Sequence, residues 1–339
     1  MPEPNNELTP HVGADELKQF RALAGNAAHR LRELRVAVVC GGDTAEREIS
    51  LVSGKGIHEA LLAEGMQSRL EDWQPAYDVN AIPCDIVFLA LHGGAGEDGH
   101  IQAALDMAGK PYVSVGMLAS AVGMHKPSFK VFVQGLGLNT PRWAVVYHAS
   151  EIPAALEHFS KQSTFFIKPV SEGSSVGVLK ANAENAAQAV TSIINNYGCA
   201  LIEEQVTGRE VTASVMGLRG KQIVLPHVEI APVKAEFYDY NAKYTKGETD
   251  YIIPARLSDE ESRRFAKAAA KIQDALALFP YARIDAIIGE DGEPSFLEMN
   301  TLPGFTPLSL VPQAAASVGI GYGELLRLLI YLAMEAHTS

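Results

Sequence analysis

Cysteine is scarce in this chain, with three in 339 residues. Cys40, Cys84 and Cys199 lie far apart and share no metal-ligand or redox spacing. A disulfide scaffold and a zinc module are excluded, and the three read as small buried hydrophobes in a reducing compartment. Long apolar runs are missing too: none approaches membrane-spanning length, and no basic segment leads an apolar core near the N-terminus. We therefore expect a cytoplasmic protein with no membrane partner. Basic charge is also short, 28 Lys and Arg against 40 Asp and Glu, for a net charge of −12. Without a basic stripe, nucleic acid is excluded as the main partner, whereas a phosphorylated small molecule needs only a few local lysines. What remains, 47% hydrophobic and 20% charged, is an ordinary globular composition with enough chain for two or three domains.

The most informative stretch runs from Ala282 to Gly304. Two apolar runs flank Glu290-Asp291-Gly292-Glu293, and Asp-Gly between such runs is a strong hairpin signal. With Asp291-Gly292 as a two-residue loop, Asp285 opposes Glu298 and Arg283 opposes Asn300. All four polar groups then share one face, while Ile284, Ala286, Leu297 and Met299 fill the other. Two carboxylates opposed at roughly 5 Å repel unless something sits between them. A hard cation such as Mg²⁺, bound by one or two carboxylates and phosphate oxygens, is one remedy. A solvated hairpin face, with Arg283 neutralising one acid, explains the same residues equally well. Beyond Asn300, the turn-rich Thr301–Thr306 stretch offers backbone N–H groups to an anion.

Residues 1–13 show no periodicity and read as disordered, and Ala14–Leu34 has apolar residues at the spacing of one amphipathic helix. Val36–Cys40 and Asp85–Leu91 are short apolar runs of the kind buried in a parallel sheet, each followed by glycines and a helix. With Tyr112-Val113 as a third strand, residues 35 to about 120 form one doubly wound α/β domain. Strand, glycine turn and helix make a ligand-binding edge, but the dinucleotide fingerprint's third glycine is missing. Glu46, after the first turn, is explained by the helix dipole alone. His92, after the second, reads as structural unless the glycines beside it admit a ligand.

Further on, the strand Thr164–Lys168 leads into Ser171-Glu172-Gly173-Ser174-Ser175. Such a loop exposes backbone N–H groups to a phosphate beside Lys168, although a plain hairpin loop is equally open and no P-loop sequence is present. Glu203 and Glu210 flank another strand end, where they either hold a nucleotide's polar groups or are solvated. Phe237–Pro254 is long, polar and tyrosine-rich, as lids are, and Ser258–Phe279 is a helix opening on a capping box. Gly323–Ala336 reads as a closing helix.

Together these motifs resemble the D-alanine–D-alanine ligases of the ATP-grasp superfamily from about Arg35 to Leu329. The resemblance rests on GGDTAEREIS at 41–50, LHGGAGEDGHIQ at 91–102, FFIKPVSEGSSVGV at 165–178, FYDYNAKY at 237–244 and the stretch 282–312. It implies an α/β, three-domain ATP-grasp fold: an extension at 1–34, a substrate domain at 35–120, a central subdomain at 121–211 and a C-terminal domain at 212–339 with a lid at 237–254. It implies ATP and two Mg²⁺ ions as cofactors, with Mn²⁺ able to substitute, and a homodimer acting on D-alanine. By likeness Lys126 and Lys168 contact ATP phosphates, Lys243 reaches the transferred phosphate, and Ser175, Glu203, Val206 and Glu210 hold the nucleotide. Asp285, Glu298 and Asn300 carry the metals. Glu46 binds the first ammonium with His92 close by, Ser174 and Tyr244 link to Glu46, and Ser309 with the Leu310 N–H takes the second substrate's carboxylate.

The implied chemistry is phosphorylation of a carboxylate to an acyl phosphate, followed by attack of a neutral amine. Arg283 and the Gly304 N–H would meet the oxyanion, and the lid would exclude water. The chain departs from the family at Asp43-Thr44, at His125 and at Val113-Ser114-Val115-Gly116. Other amino acid pairs, with D-serine as acceptor for instance, would keep the same mechanism. A non-catalytic relative would be expected to lack one of Asp285, Glu298, Asn300, Arg283 or Lys168, and a dehydrogenase lacks its glycine fingerprint here.

Overall fold

The computed structural model describes residues 13–74, 78–233 and 247–338. Three sheets follow one another along the chain. The first comprises β1 (Arg35–Gly41), β2 (Gln67–Trp73), β3 (Ile86–Leu89) and β4 (Tyr112–Val113), parallel in the order β2-β1-β3-β4. Alternate residues of these strands serve two cores, as the period of a strand requires. Val36, Val38, Cys40 and Phe88 pack with Ile57 and Leu61 of the helix Arg47–Ala63. Ala37, Val39, Val87 and Leu89 pack with Ile101 and Leu105 of the helix His100–Met107. Burial pushes the Cys40 thiol up to about 11, so it is inert filling, while Cys84 and Cys199 are only partly covered.

The second sheet, antiparallel in the order β5-β8-β6-β7, comprises β5 (Trp143–Val146), β6 (Phe165–Lys168), β7 (Leu179–Ala181) and β8 (Ala200–Glu204). The third contains β9 (Gly208–Leu218), β10 (Lys221–Val224), β11 (Val228–Pro232), β12 (Thr249–Ile252), β13 (Tyr281–Gly289) and β14 (Pro294–Asn300). Its order is β12-β11-β9-β13-β14, with β10 paired to β9. The helix Asp259–Leu276 covers it, opened by the expected capping box between Ser258 and Glu261. The closing helix runs Tyr322–Thr338, and no single helix among the described residues is long and apolar enough to cross a membrane.

Four expectations need correction. The N-terminal periodicity makes two helices rather than one, Ala14–Asn26 and Ala28–Glu33, broken where Gly25 and Asn26 weaken helix propensity. Leu17, Phe20, Ala24 and Leu31 are buried in the core shared with the closing helix, and Arg21 donates twice to Glu324, at 2.7 and 2.8 Å. The polar segment 237–254 is not loop throughout, because Thr249–Ile252 forms β12 against β11. Residues 1–12 and 237–246, which include Lys243 and Tyr244, lie outside the described residues.

The hairpin differs more instructively. Its loop has three residues, Glu290-Asp291-Gly292, closed by Gly289 N–H donating to the Glu293 carbonyl at 3.1 Å. Gly292 takes φ 73°, the left-handed position such a loop requires. One residue of slip would turn the acids away from each other. It is undone by a bulge: Ala286 pairs with Phe296 but Asp285 pairs with Glu298, which leaves Leu297 as the extra residue. The expected pairing of Asp285 with Glu298 and of Arg283 with Asn300 stands, but Phe296, not Leu297, enters the core.

Candidate active site

Two clefts meet over β13 and β14. The larger, about 480 Å³, is lined by Glu46 and His92 from the first sheet's loops and by Arg283, Asn300, Gly304, Ser309 and Leu310 from the third unit. The smaller, about 270 Å³, has Lys168, Ser175, Glu203, Val206, Glu210 and Asp285 in its wall. Lys126, Glu172, Ser174, Arg283 and Glu298 line both. Every site residue expected from the sequence and lying among the described residues therefore borders one or both clefts.

Local folding explains how they gather. Glu46 is the N-cap residue of the helix Arg47–Ala63, where the helix dipole favours an acid, but its side chain makes no capping bond. Its carboxylate instead accepts the Ser174 hydroxyl, across 128 residues of chain. Gly93, at φ 70°, makes room: a Cβ there would lie 2.8 Å from Glu46 Oε2. Thr44 donates to the His92 carbonyl at 2.9 Å and ties the two glycine loops together. His92 is buried, its Nε2 3.2 Å from the Ser53 hydroxyl and its Nδ1 3.6 Å from Glu97. Ser174 and Ser175 both hold positive φ, 52° and 57°, a strained pair that persists only where the surroundings over-determine it.

The lysines converge on the shared wall. Lys126 Nζ donates to the Glu172 carbonyl at 2.5 Å and lies 3.6 Å from Glu298. Its helix is capped by His125, whose Nδ1 accepts the Ser128 N–H, so the histidine performs the cap that an Asp or Asn would. Burial first, then Lys126, lowers the His125 pKa and keeps that nitrogen an acceptor. The other departures lie away from the clefts: Asp43 is exposed, and Val113 and Val115 are buried in the cores, none of them lining either cleft.

Asp285 is held twice. Arg283 donates to both its oxygens, at 2.9 and 2.8 Å, and the Thr212 hydroxyl from β9 donates at 2.5 Å. Sequence reasoning missed Thr212, which only the β9–β13 register brings opposite Asp285. It missed Leu297 as well, which the bulge turns into the smaller cleft beside Ile287. The Asn300 amide oxygen accepts from the Leu302 N–H at 3.1 Å.

Acids crowd this wall. The Glu210 carboxyl is pushed up to about 8, first by burial and then by Asp285 and Glu298, against the pull of Lys168 and Arg283. No three His, Cys, Asp or Glu side chains among the described residues are gathered tightly enough to hold an ion by themselves. The donor set, two carboxylates and an amide oxygen, fits a hard cation that takes its remaining ligands from phosphate.

A pH dependence follows. The folded Glu210 value lies above the ordinary 4.5, so the folded protein holds a proton that the unfolded chain has lost between those values. Its contribution to stability is present below about 4.5 and is lost as pH rises through about 8. A cation held among the acids would favour the ionised form, so its binding near neutral pH should release protons. Calorimetry in buffers of different ionisation enthalpy reads this directly, and a heat independent of buffer would count against the crowding.

A parallel sheet followed by two antiparallel units that close over lysines and acids defines an ATP-grasp architecture. Comparison with known proteins narrows the class. The model of the D-ala D-ala ligase N-terminus matches residues 66–115, and that of the C-terminus matches residues 132–331. The D-alanine–D-alanine ligase of Halalkalibacterium halodurans is 40% identical over 306 residues, 89% of this chain and all of that protein. The crystal structure of the Bacillus anthracis D-alanine–D-alanine ligase complexed with ATP superposes with a TM-score of 0.74 at 27% identity, over 90% of this chain and 99% of that one. The VanG D-Ala:D-Ser ligase from Enterococcus faecalis gives 0.77 at 27% identity, over 88% and 99%. The chain belongs to the D-alanine–D-alanine ligase family.

Proposed function

We propose that this protein joins two D-alanines into D-alanyl-D-alanine at the expense of ATP, through an acyl phosphate, as a supply of peptidoglycan precursor. The observation that carries the reading is the shared wall, where Lys126, Ser174, Arg283 and Glu298 border both clefts. A phosphoryl group passed between the clefts must cross that wall. On this reading the smaller cleft takes ATP: Glu203, Val206 and Glu210 face the base and ribose, Leu297 and Ile287 its apolar faces, and Ser175, Lys126 and Lys168 the phosphates. Asp285, Glu298 and Asn300 would hold Mg²⁺, which when bound screens the phosphate oxygens and polarises the phosphoryl group.

The larger cleft takes the amino acids. Glu46 receives the first ammonium, oriented by the Ser174 hydroxyl, with His92 behind it. The second carboxylate meets Ser309 and the Leu310 N–H at the start of the helix Leu310–Ser317, where backbone donors are unpaired. Arg283 and the Gly304 N–H stand where the tetrahedral oxyanion develops. Lys243 and Tyr244, outside the described residues, are assigned to the transferred phosphate and to the Glu46–Ser174 pair. The reading carries with it the division near residues 35, 121 and 212, a cytoplasmic location and a homodimer.

The test is Mg²⁺-dependent phosphate release from ATP with D-alanine, the product identified by mass, beside D-serine and D-lactate as alternative acceptors. Stoichiometric D-alanyl-D-alanine is the expected product. Turnover only with another pair would keep the mechanism and move the substrate, and no turnover with any pair would overturn the reading.

A further inference from the structure

One buried charge behind the nucleotide cleft has no task in this scheme. Lys130 is fully buried in the helix Lys126–Gly135, with no surface in either cleft. Its Nζ forms an ion pair with Glu203 Oε2 and donates to the Thr140 hydroxyl at 2.9 Å. That hydroxyl donates in turn to the Phe296 carbonyl at 2.8 Å, which anchors the lysine to β14 just before the bulge. The other oxygen of Glu203, Oε1, accepts from Lys168 Nζ at 2.6 Å. Glu203 thus carries a lysine on each oxygen, Lys168 within the cleft wall and Lys130 behind it.

Two cations on one carboxylate is one more than charge balance needs. A buried ion left without a partner is costly, and so is an ion pair that must break to bind a ligand. We propose that Lys130 is a positioning residue: it remains on Glu203 as a fixed counter-ion so that Lys168 can leave that carboxylate for the nucleotide's phosphates. The proposal rests on the nucleotide reading of the smaller cleft. Once Lys168 has turned, Glu203 is still neutralised, and its Oε1 is released towards the cleft to accept an exocyclic amine of the base. Thr140 keeps Lys130 from following. The electrostatics agree: burial alone would push the Glu203 pKa up, yet the two lysines pull it to about 2.

With Lys130 gone, Lys168 is the sole counter-ion of a buried carboxylate and is pinned away from phosphate. The experiment measures binding of Mg²⁺ with ADP by calorimetry in the wild type, Lys130→Met, Glu203→Gln and the double variant, each with its melting temperature. Lys130→Met should bind at least roughly tenfold more weakly. Adding Glu203→Gln removes the need for a counter-ion and frees Lys168, so the double variant should bind more tightly than Lys130→Met alone. A merely structural lysine would not give that rescue. Unchanged affinity in a folded Lys130→Met, or a double variant weaker than either single one, overturns the proposal. Should Lys130→Met not fold, Glu203→Gln and the double variant must agree within about threefold, because Lys130 then has nothing to hold. Failure of the wild type to bind Mg²⁺ with ADP would instead overturn the nucleotide reading itself.

Discussion

Replacing Glu298 by glutamine is expected to lower kcat/KM by roughly 10²–10³-fold while leaving the fold intact. The carboxylate stands on the wall common to both clefts, 3.6 Å from Lys126, with 41% of its side chain exposed. With the carboxylate end open to solvent and 3.6 Å from its partner, the pair contributes at most about 1 kcal/mol to stability, so melting should barely move. Catalysis should suffer because the amide removes a full negative charge from the proposed cation site and leaves Lys126 without its acidic neighbour near the phosphates. The Mg²⁺ concentration for half-maximal rate should rise in step. Steady-state phosphate release across a Mg²⁺ titration, beside a thermal melt, separates the two effects. Activity within threefold of wild type would take Glu298 out of the chemistry.

The largest stability effect should fall two residues away. Phe296 is fully buried against Phe265, with ring centroids 5.9 Å apart, and its backbone is held by Asn139 and Thr140. Phe296→Ala opens a cavity in the core beneath β13 and β14 and should cost about 3–5 kcal/mol. Leu297, its neighbour, faces the cleft because of the bulge, and Leu297→Ala should cost about 1 kcal/mol or less while weakening nucleotide binding. Urea denaturation of the two variants checks the bulge itself. A larger loss at 297 than at 296 would mean that the two side chains have exchanged faces.

That pair shows what the sequence could and could not reveal. Alternation and an Asp-Gly turn were enough to pair Asp285 with Glu298, and they paired them correctly. They were not enough to count the loop. A two-residue turn and a three-residue turn followed by a bulge place the acids identically, and only the exchange of Phe296 for Leu297 distinguishes them. Periodicity is local, whereas the bulge is held by Asn139 and Thr140, some 156 residues earlier in the chain. The same limit applies to Glu46. Next to its helix it looks like a dipole-favoured acid, and nothing nearby announces Ser174. Motif order supplied that pairing, and packing of the first sheet's loops against the strained serines accounts for it physically. Lys130 stands in the sequence only as a second lysine one helical turn after Lys126, since its burial and its partnership with Glu203 depend on how the helix Lys126–Gly135 packs, tied through Thr140 to β14.

The helices at the two ends of the described chain bear on how the protein comes into being. Leu17, Phe20 and Leu31 share one apolar cluster with Val36 and Val38 of β1 and with Leu325, Leu329 and Leu332 from the far end. During synthesis β1–β4 emerge early, but part of the surface that covers them belongs to the far-end helix Tyr322–Thr338. Until that helix leaves the ribosome, one face of the first sheet is a sticky, half-finished layer waiting for its lid of leucines. The amphipathic pair at the N-terminus is made before that sheet and joins the helix Arg47–Ala63 on the same face, so it can help shelter the nascent layer before it ever clasps the finished enzyme.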